Sequence, residues 1–325
     1  MSTKTLRVSA VQVSSQAGQV EANLRHATPF VERAAAEGAQ VVLLPELMPT
    51  GYCLTEEIWN AAEPCGGPTV QWLTELGARL HIYVGTTFLE AEGEDFFNTF
   101  VLASPEGRVA GRVRKTPPAS LEACFYRAGT GPHVIETALG RIGVGICYEN
   151  LLFERLAALY QSSVDLLLQP VAAGRPKPMA DGDLQRFDSM LRRMAPCHAR
   201  ALGVPVILAD QAGPLVTPLP FGFGELNSSF PGLSVIVDAH GHPRAKLGEA
   251  EGVILADVEL DPALKAQRPP RDHGQMWAIP VPWFAFIWPE TQQMGEAAYA
   301  QDSGRKQRAR AISAAGASTL AGFGS

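Results

Sequence analysis

Apolar residues along this chain follow a two-residue period in some segments and a helical period in others. Leu6–Val13 alternates like a strand, whereas Asn23–Glu37 carries apolar residues at helical spacing before Gly38 ends the pattern. Further strands are predicted at Val41–Pro45, Ile82–Leu89, Phe96–Ala103, Arg108–Arg114, Arg141–Ile146, Val164–Gln169, Val204–Ala209, Ser234–Val237, Arg244–Leu247 and Val253–Leu260, and further helices at Trp72–Leu80, Phe153–Tyr160 and Leu184–Leu202. Because crossovers are mixed with hairpins, the pattern predicts a layered α/β fold with partly antiparallel sheets.

Residues 1–265 hold no internal stretch rich enough in Pro, Gly or Ser to divide them, so we predict one domain there. Residues 266–325 are expected to form a C-terminal arm and tail. Five aromatic residues crowd into the arm: Trp277, Trp283, Phe284, Phe286 and Trp288. The prolines at 280, 282 and 289 argue against a long regular helix among them.

Two places are open for this aromatic arm, the surface of its own subunit and the surface of a partner. We expect the arm to cross a subunit interface, so that the protein is a homodimer or a higher homo-oligomer. Truncation at Pro269 is then expected to give a smaller assembly. The tail, Gln301–Ser325, is small, polar and basic, and is expected to be flexible and to add little.

Composition and charge fit a sizeable soluble enzyme. The chain has 325 residues, of which 46% are hydrophobic and 18% charged, with a net charge of -6. An acidic chain argues against nucleic acid or an anionic membrane as partner, since both select a basic surface. The first residues enter a strand without the apolar core of a signal peptide, so we expect a cytoplasmic protein.

The five cysteines are odd in number and irregular in spacing, which supports neither a disulfide framework nor a CxxC metal site. His133 and His198 lack partners at metal-ligand spacing. We therefore expect no metal and no cofactor.

Three predicted strands end on a side chain that suits catalysis. Glu46 follows Val41–Pro45, Lys115 follows Arg108–Arg114, and Cys147 follows Arg141–Ile146. A strand that turns sharply into a helix leaves its last side chain over the sheet edge, with free backbone N–H groups behind it. The alternatives are a solvated carboxylate for Glu46, a loop charge for Lys115 and a packed thiol for Cys147.

The three segments that contain these residues are Leu44–Tyr52, Arg114–Thr116 and Gly143–Asn150. In composition, order and separation they resemble the three motifs of the nitrilase superfamily, the carbon-nitrogen hydrolases. The similarity runs from about residue 5 to residue 262. It implies a four-layer αββα sandwich of two mixed sheets, pairing of subunits, and a Glu-Lys-Cys triad.

The resemblance assigns Glu46, Lys115 and Cys147 to that triad. It places a fourth carboxylate, which positions the substrate and the lysine, on Glu122. The candidate substrate-binding residues are Tyr52, Tyr148, Gln169 and Ala172. The pair Glu149-Asn150 resembles the true nitrilases, whereas the motif around Tyr52 is more similar to the amidases.

The residues of the triad suit hydrolysis of an amide through a thioester. Glu46 takes the thiol proton and later activates water, while Lys115 and the Tyr148 backbone N–H stabilise the oxyanion. The leading hypothesis is an amidase or N-carbamoyl amidase acting on a small molecule with water. A nitrilase that attacks a nitrile carbon, and a catalytically silent dimeric module, are the alternatives.

Two long loops are expected to cover the thiol and to set specificity, Val171–Asp183 and Ala212–Phe230. Neither contains a cluster of carboxylates suited to a polyamine. We therefore expect an uncharged or partly apolar acyl group. The second segment suits an oligomer contact equally well.

Overall fold

The computed structural model of the chain describes residues 3–175, 180–271 and 276–321, with side chains as far as residue 316. Its strands are β1 (Lys4–Gln12), β2 (Val41–Leu43), β3 (Tyr83–Glu92), β4 (Asp95–Ala103), β5 (Val109–Arg114), β6 (Val134–Thr137), β7 (Gly140–Val144), β8 (Leu166–Val171), β9 (Val206–Asp210), β10 (Ala212–Pro218), β11 (Glu225–Pro231), β12 (Val235–Val237), β13 (Pro243–Lys246) and β14 (Gly252–Leu260). Its helices are α1 (Val20–Ala36), α2 (Pro68–Leu80), α3 (Phe153–Gln161), α4 (Asp181–Leu202), α5 (Trp288–Gln301) and α6 (Ser303–Ala321).

Within these ranges the strands form two six-stranded sheets and one separate hairpin. The first sheet has the order β14-β1-β2-β3-β4-β5 and the second the order β13-β12-β9-β8-β7-β6. Each sheet is mixed, because β1, β2 and β3 are parallel, as are β7, β8 and β9, while the flanking strands are antiparallel. Helices α1 and α2 pack on the outer face of the first sheet, and α3 and α4 on that of the second. The expected four-layer αββα sandwich is confirmed.

The hydrophobic core between the two sheets follows from the alternation of side chains along each strand. In β1, Leu6, Val8 and Ala10 face the second sheet, and Val11 faces the outer helices. Both faces of the strand are covered from Val8 to Gln12, where every residue is buried. The same core joins residues of β4 and β5 to residues of β7, β8 and β9.

The ends of several central strands meet at one edge of this sandwich. The turn after β2 reaches the end of β8, where the backbone N–H of Glu46 donates to the Val171 carbonyl at 3.3 Å. The backbone N–H of Lys115, just after β5, donates to the Asn98 carbonyl of β4 at 2.9 Å. Residues that are far apart in the sequence are thereby brought to one place.

The segment Ala212–Phe230 differs from the loop that the sequence analysis predicted. Its two halves pair in register as the antiparallel strands β10 and β11, from Ala212 opposite Pro231 to Pro218 opposite Glu225. The proline and glycine content of this segment suggested a loop. A two-stranded ribbon, however, has exposed edges where proline is tolerated. Residues 176–179 of the other expected specificity segment lie outside the described ranges.

The C-terminal region contains more helix than the sequence analysis expected. Prolines 280 and 282 precede a short 3-10 helix, Trp283–Ile287, but Pro289 lies in the first turn of α5. Proline is tolerated there because the first backbone N–H groups of a helix have no partner within it. Helix α6 occupies most of the expected tail, and its Arg305 forms an ion pair with Asp95 at 2.7 Å. Residues 272–275 and 322–325 of this region lie outside the described ranges.

None of the helices in the described part of the chain is long and apolar enough to cross a membrane. The domain division at residue 265 and the cytoplasmic location stay predictions.

Strand β9 ends on a buried carboxyl group, that of Asp210, which is 1% exposed. Its Oδ1 accepts hydrogen bonds from the backbone N–H groups of Ala173, at 3.1 Å, and Gln211, at 2.8 Å. Its Oδ2 has no partner among the residues that the structure describes. Burial raises the pKa of Asp210 well above that of a free carboxyl group, against the effect of the two N–H donors.

Asp210→Asn should therefore gain stability over the wild type as the pH rises. The folded wild-type protein keeps a proton that the unfolded chain releases above about pH 4, so its stability falls with rising pH, by up to about 1.4 kcal/mol per pH unit. Asparagine carries no titrating proton and avoids this loss. Urea unfolding at pH 5 and pH 8 measures the difference in free energy of unfolding between Asp210→Asn and the wild type, with the exposed Glu259→Gln as control. An equal difference at both pH values would contradict the prediction.

Candidate active site

The carboxylate of Glu46 lies where the two sheets meet and is fully buried. Its Oε1 accepts hydrogen bonds from Lys115 Nζ at 2.6 Å and from Asn98 Nδ2 at 2.7 Å. Its Oε2 accepts one from the backbone N–H of Ala172 at 3.0 Å. The Glu46 carbonyl is held as well, by Gln211 Nε2 at 2.7 Å. Groups from both sheets therefore fix this side chain in position.

The ammonium group of Lys115 lies between two carboxylates. Its Nζ donates to Glu46 Oε1 and to Glu122 Oε2, both at 2.6 Å, and the side chain has no exposed surface. Burial alone lowers the pKa of Lys115, but the charges of Glu122 and Glu46 outweigh it and hold the pKa well above its usual value. Lys115 is therefore a cation at neutral pH.

Glu122 belongs to the short 3-10 helix Ser120–Cys124, which follows β5. Besides Lys115, its Oε2 accepts a hydrogen bond from the backbone N–H of Ala119 at 2.8 Å. Its Oε1 accepts one from the hydroxyl of Tyr52 at 3.0 Å. The carboxylate is thus held at three points while it holds the lysine.

Cys147 opens another 3-10 helix, Cys147–Leu151, at the end of β7. Its φ of 47° lies in the left-handed region, which costs a non-glycine residue about 1 to 2 kcal/mol. The amide of Asn150 stabilises this turn by donating to the carbonyls of Gly145, at 2.7 Å, and Cys147, at 3.0 Å. A strained turn held by a side chain presents the thiol at a fixed angle.

The thiol of Cys147 lies close enough to the Glu46 carboxylate and to the backbone N–H of Ala172 for both groups to shift its pKa. Burial and the charge of Glu46 raise the pKa of the thiol well above its usual value. Burial also raises the pKa of Glu46, against the lowering effect of Lys115. The proton of the thiol therefore lies next to a carboxylate whose proton affinity is increased.

Glu149 supports the turns that carry Cys147 and Lys115. Its carboxylate accepts hydrogen bonds from the backbone N–H groups of Ile146, at 2.7 Å, and Thr116, and it is bound to His133 Nε2 at 2.7 Å. It is fully buried. One side chain thereby joins the residue before Cys147 to the residue after Lys115.

The four candidate substrate-binding residues lie in different environments. Tyr52 is bound to Glu122, and Ala172 is bound through its N–H to Glu46. Gln169 has no exposed surface and donates to Asn150 Oδ1 at 2.9 Å, behind the Cys147 turn. Tyr148 is 3% exposed. Contacts of these residues with a substrate stay predictions.

The sequence analysis missed three side chains that hold the site, Asn98, Gln211 and, in this structural role, Glu149. Asn98 carries a local signal, because it is a polar residue inside the apolar run of β4. Gln211 carries no such local signal, since its partner Glu46 is 165 residues away. Among the described residues no group of His, Cys, Asp and Glu is arranged to hold a metal ion.

Comparison with known proteins finds related sequences over most of the chain. The family model described as carbon-nitrogen hydrolase matches residues 7–266. Nitrilase 3 of Arabidopsis thaliana is 28% identical over 81% of this chain and 81% of its own length. N-carbamoylputrescine amidase of Solanum tuberosum is 28% identical over 80% of this chain and 86% of its own length.

A solved structure agrees with the fold. The carbon-nitrogen hydrolase of Helicobacter pylori G27 superposes with a TM-score of 0.70 at 20% identity, covering 79% of this chain and 90% of that one. At this identity the likeness bears on the fold alone, whereas the family match bears on ancestry and chemistry. The chain therefore belongs to the carbon-nitrogen hydrolase family, as the three strand-end motifs indicated.

Proposed function

We propose that the chain hydrolyses the C–N bond of a small amide or N-carbamoyl compound through a thioester on Cys147. The observation that carries the proposal is the position of the buried Glu46 carboxylate, which binds the Lys115 ammonium group at 2.6 Å and lies beside the half-buried Cys147 thiol. A base beside a thiol, next to a fixed cation, is the arrangement that acyl transfer needs.

In the first half of the reaction, the Cys147 sulfur attacks the carbonyl carbon while Glu46 takes the thiol proton. Lys115 and the Tyr148 backbone N–H stabilise the oxyanion. Collapse of this intermediate breaks the C–N bond, and Glu46 gives its proton to the leaving nitrogen. The raised pKa values of the thiol and of Glu46 favour transfer of the proton during the attack rather than before it.

In the second half, water attacks the thioester carbon and Glu46 accepts a proton from the water. The carbon–sulfur bond breaks, a carboxylic acid leaves, and the proton returns to the Cys147 sulfur. Glu122 holds Lys115 in place through both halves. No step requires a metal, so EDTA should leave the rate unchanged.

The apolar side chains around Ala172 support an uncharged or partly apolar acyl group. Ala172, Leu215 and Phe230 form a small buried apolar cluster, and Tyr52 packs against it. The ring of Tyr52 meets that of Phe230 edge to face at 6.0 Å. This cluster is apolar and aromatic, and Tyr52 links it to Glu122, whose carboxylate binds the Tyr52 hydroxyl.

Nitrile hydrolysis is the second candidate, because the same thiol attack on a nitrile carbon suits this site and nitrilases are among the relatives. The pair Glu149-Asn150, which suggested it, binds the turns around Cys147. Ammonia release from matched amides, N-carbamoyl compounds and nitriles separates the two candidates. Turnover of nitriles alone would replace the amide proposal, and no turnover of any class would favour the catalytically silent module.

Cys147→Ala and Cys147→Ser should abolish turnover while the fold stays intact, because neither supplies a thiolate. The expected loss in kcat is about a thousandfold or more. The matched control is Cys65→Ala, which removes an exposed thiol and should keep wild-type activity. Circular dichroism checks the fold. In the Cys65→Ala background, peptide mapping should find alkylation concentrated at Cys147, and preferential labelling of Cys53 or Cys197 would count against the assignment.

Glu46→Gln and Lys115→Met should each lower kcat far more than they raise KM, because both groups act on the reacting atoms. We expect a fall in kcat of about a hundredfold or more. Steady-state kinetics on the best amide measures the two constants separately. The control is Glu154→Gln, an exposed carboxylate on α3. A change in KM alone would reassign the residue to ground-state binding.

We propose, further, that the protein is a homo-oligomer held by the aromatic arm. Phe284 and Trp288 pack on the chain's own core, whereas Trp283, Phe286 and Ile287 are 64%, 61% and 53% exposed. Such adjacent apolar side chains favour burial against a second copy. Because the arm packs inward as well, point substitution tests the interface more sharply than truncation at Pro269.

The double variant Trp283→Ser with Phe286→Ser should therefore sediment as a smaller species than the wild type. The control is Phe221→Ser with Phe223→Ser, which removes two exposed rings from the tip of the β10–β11 hairpin and should leave the mass unchanged. If the arm variant keeps the wild-type mass, the arm is not an assembly element.

A further inference from the structure

Helix α5 approaches the 3-10 helix that carries Glu122 closely enough to exclude a side chain. Gly295 is buried in this contact. A Cβ atom at Gly295 would lie 2.9 Å from the backbone nitrogen of Cys124 and 3.0 Å from the carbonyl carbon and the Cβ of Ala123. One turn earlier, Thr291 Oγ1 is hydrogen-bonded to Ser120 Oγ at 2.7 Å. The position of the Glu122 segment therefore depends directly on α5.

The same C-terminal region encloses the residue that follows the nucleophile. The ring of Tyr148 meets Trp277 edge to face at 6.2 Å and Trp288 at 5.8 Å. The backbone is joined as well, since the N–H of Ala278 donates to the Leu151 carbonyl at 2.7 Å. The 3-10 helix that begins at Cys147 thus packs against the segment that leads into α5.

Helix α5 is itself anchored to the first sheet. The Tyr299 hydroxyl accepts a hydrogen bond from the backbone N–H of Phe96 at 2.9 Å, two residues before Asn98 on β4. Arg305 binds the Tyr299 carbonyl at 3.0 Å and Asp95 at 2.7 Å. A displacement of α5 is therefore resisted at its far end, and strain at Gly295 falls on the Glu122 segment.

We propose that Gly295 and Trp288 are positioning residues for the hydrolysis, so that the C-terminal helix completes an active site whose reacting groups all lie before it. This inference rests on the proposed function of Glu122 and Tyr148. Glu122 lies 2.6 Å from Lys115 Nζ, and Tyr148 supplies the proposed oxyanion N–H. The family match ends at residue 266, so both positioning residues lie beyond it.

The size of the effect follows from the geometry. A Cβ at 2.9 Å from a backbone atom must move that atom or the helix by several tenths of an ångström. A displacement of about 1 Å at a catalytic group typically lowers the rate by about a hundredfold. Gly295→Ala should accordingly lower kcat by about tenfold. Alanine has a higher helix propensity than glycine, so the helix itself is not weakened.

The test compares Gly295→Ala with Ala297→Val, which adds volume at an exposed position of the same helix. On the best amide, Gly295→Ala should lose about tenfold in kcat, while Ala297→Val stays within about twofold of the wild type. A folded Gly295→Ala with wild-type kcat would overturn the proposal. Circular dichroism and thermal unfolding establish the fold.

If Gly295→Ala does not fold, a second pair of variants tests the positioning role of the C-terminal helix at Trp288. Trp288→Leu removes the ring that meets Tyr148, and Trp288→Phe restores an aromatic edge. Trp288→Leu should lower kcat several-fold, and Trp288→Phe should recover most of it. Equal rates for leucine, phenylalanine and the wild type would overturn the role of Trp288.

Alkylation of Cys147 by iodoacetamide gives a measure that needs no substrate. In the Cys65→Ala background, Gly295→Ala should slow the alkylation of Cys147 by about threefold or more, because Glu46 is then less well placed to take the thiol proton during the attack. If the wild-type protein hydrolyses none of the amides, carbamoyl compounds and nitriles, the proposed function fails. The alkylation rates then still test the inference, and an unchanged rate in Gly295→Ala rejects it.

Discussion

The buried ammonium group of Lys115 is the interaction on which the rest of the site depends. Each charge taken out of water costs several kcal/mol, and a single unpaired carboxylate in this position would pick up a proton or open the fold to solvent. Lys115 lies 2.6 Å from both Glu46 and Glu122, so each carboxylate keeps one direct counter-charge. The remaining oxygen of each is bound by a neutral donor, from Ala172 or Tyr52.

This arrangement has a chemical consequence as well as a structural one. Two carboxylates share one cation, which leaves an excess of negative charge beside the thiol and helps to raise the pKa of Cys147. Burial has the larger effect in the same direction. The resting nucleophile is thus a protonated thiol with the base beside it, so the thiolate forms only when the substrate is attacked.

The sequence was most informative where a candidate side chain follows directly after a predicted strand. Glu46, Lys115 and Cys147 share this feature, and the family resemblance of the segments around them is what grouped the three as a triad. Glu122 has no such context and came from the resemblance alone. Asn98 was visible as a polar residue in an apolar strand, but its partner was not, because β4 and the turn after β2 meet only in the folded chain.

The sequence analysis did not predict the β10–β11 hairpin or helix α5, and in both cases the reason is local. The β10–β11 hairpin is rich in proline and glycine, which lower strand propensity but do not prevent pairing in a ribbon with open edges. Helix α5 was hidden by Pro289, since a proline at the start of a helix and a proline that breaks one look alike in a short window. The contact of Gly295 with Ala123 needs coordinates, because nothing at residue 123 calls for a glycine 172 positions later.

The two sheets supply different halves of the chemistry, and this division gives the apolar layer between them a further role. Glu46, Asn98 and Lys115 come from the first sheet, whereas Cys147 and Ala172 come from the second. The separation of base and nucleophile is therefore set by the thickness of packed side chains such as Phe100 and Ile207, far from any substrate. Since protein interiors are close-packed, this layer acts as a spacer of fixed width. A change in the volume of this layer would therefore affect the reaction as well as stability.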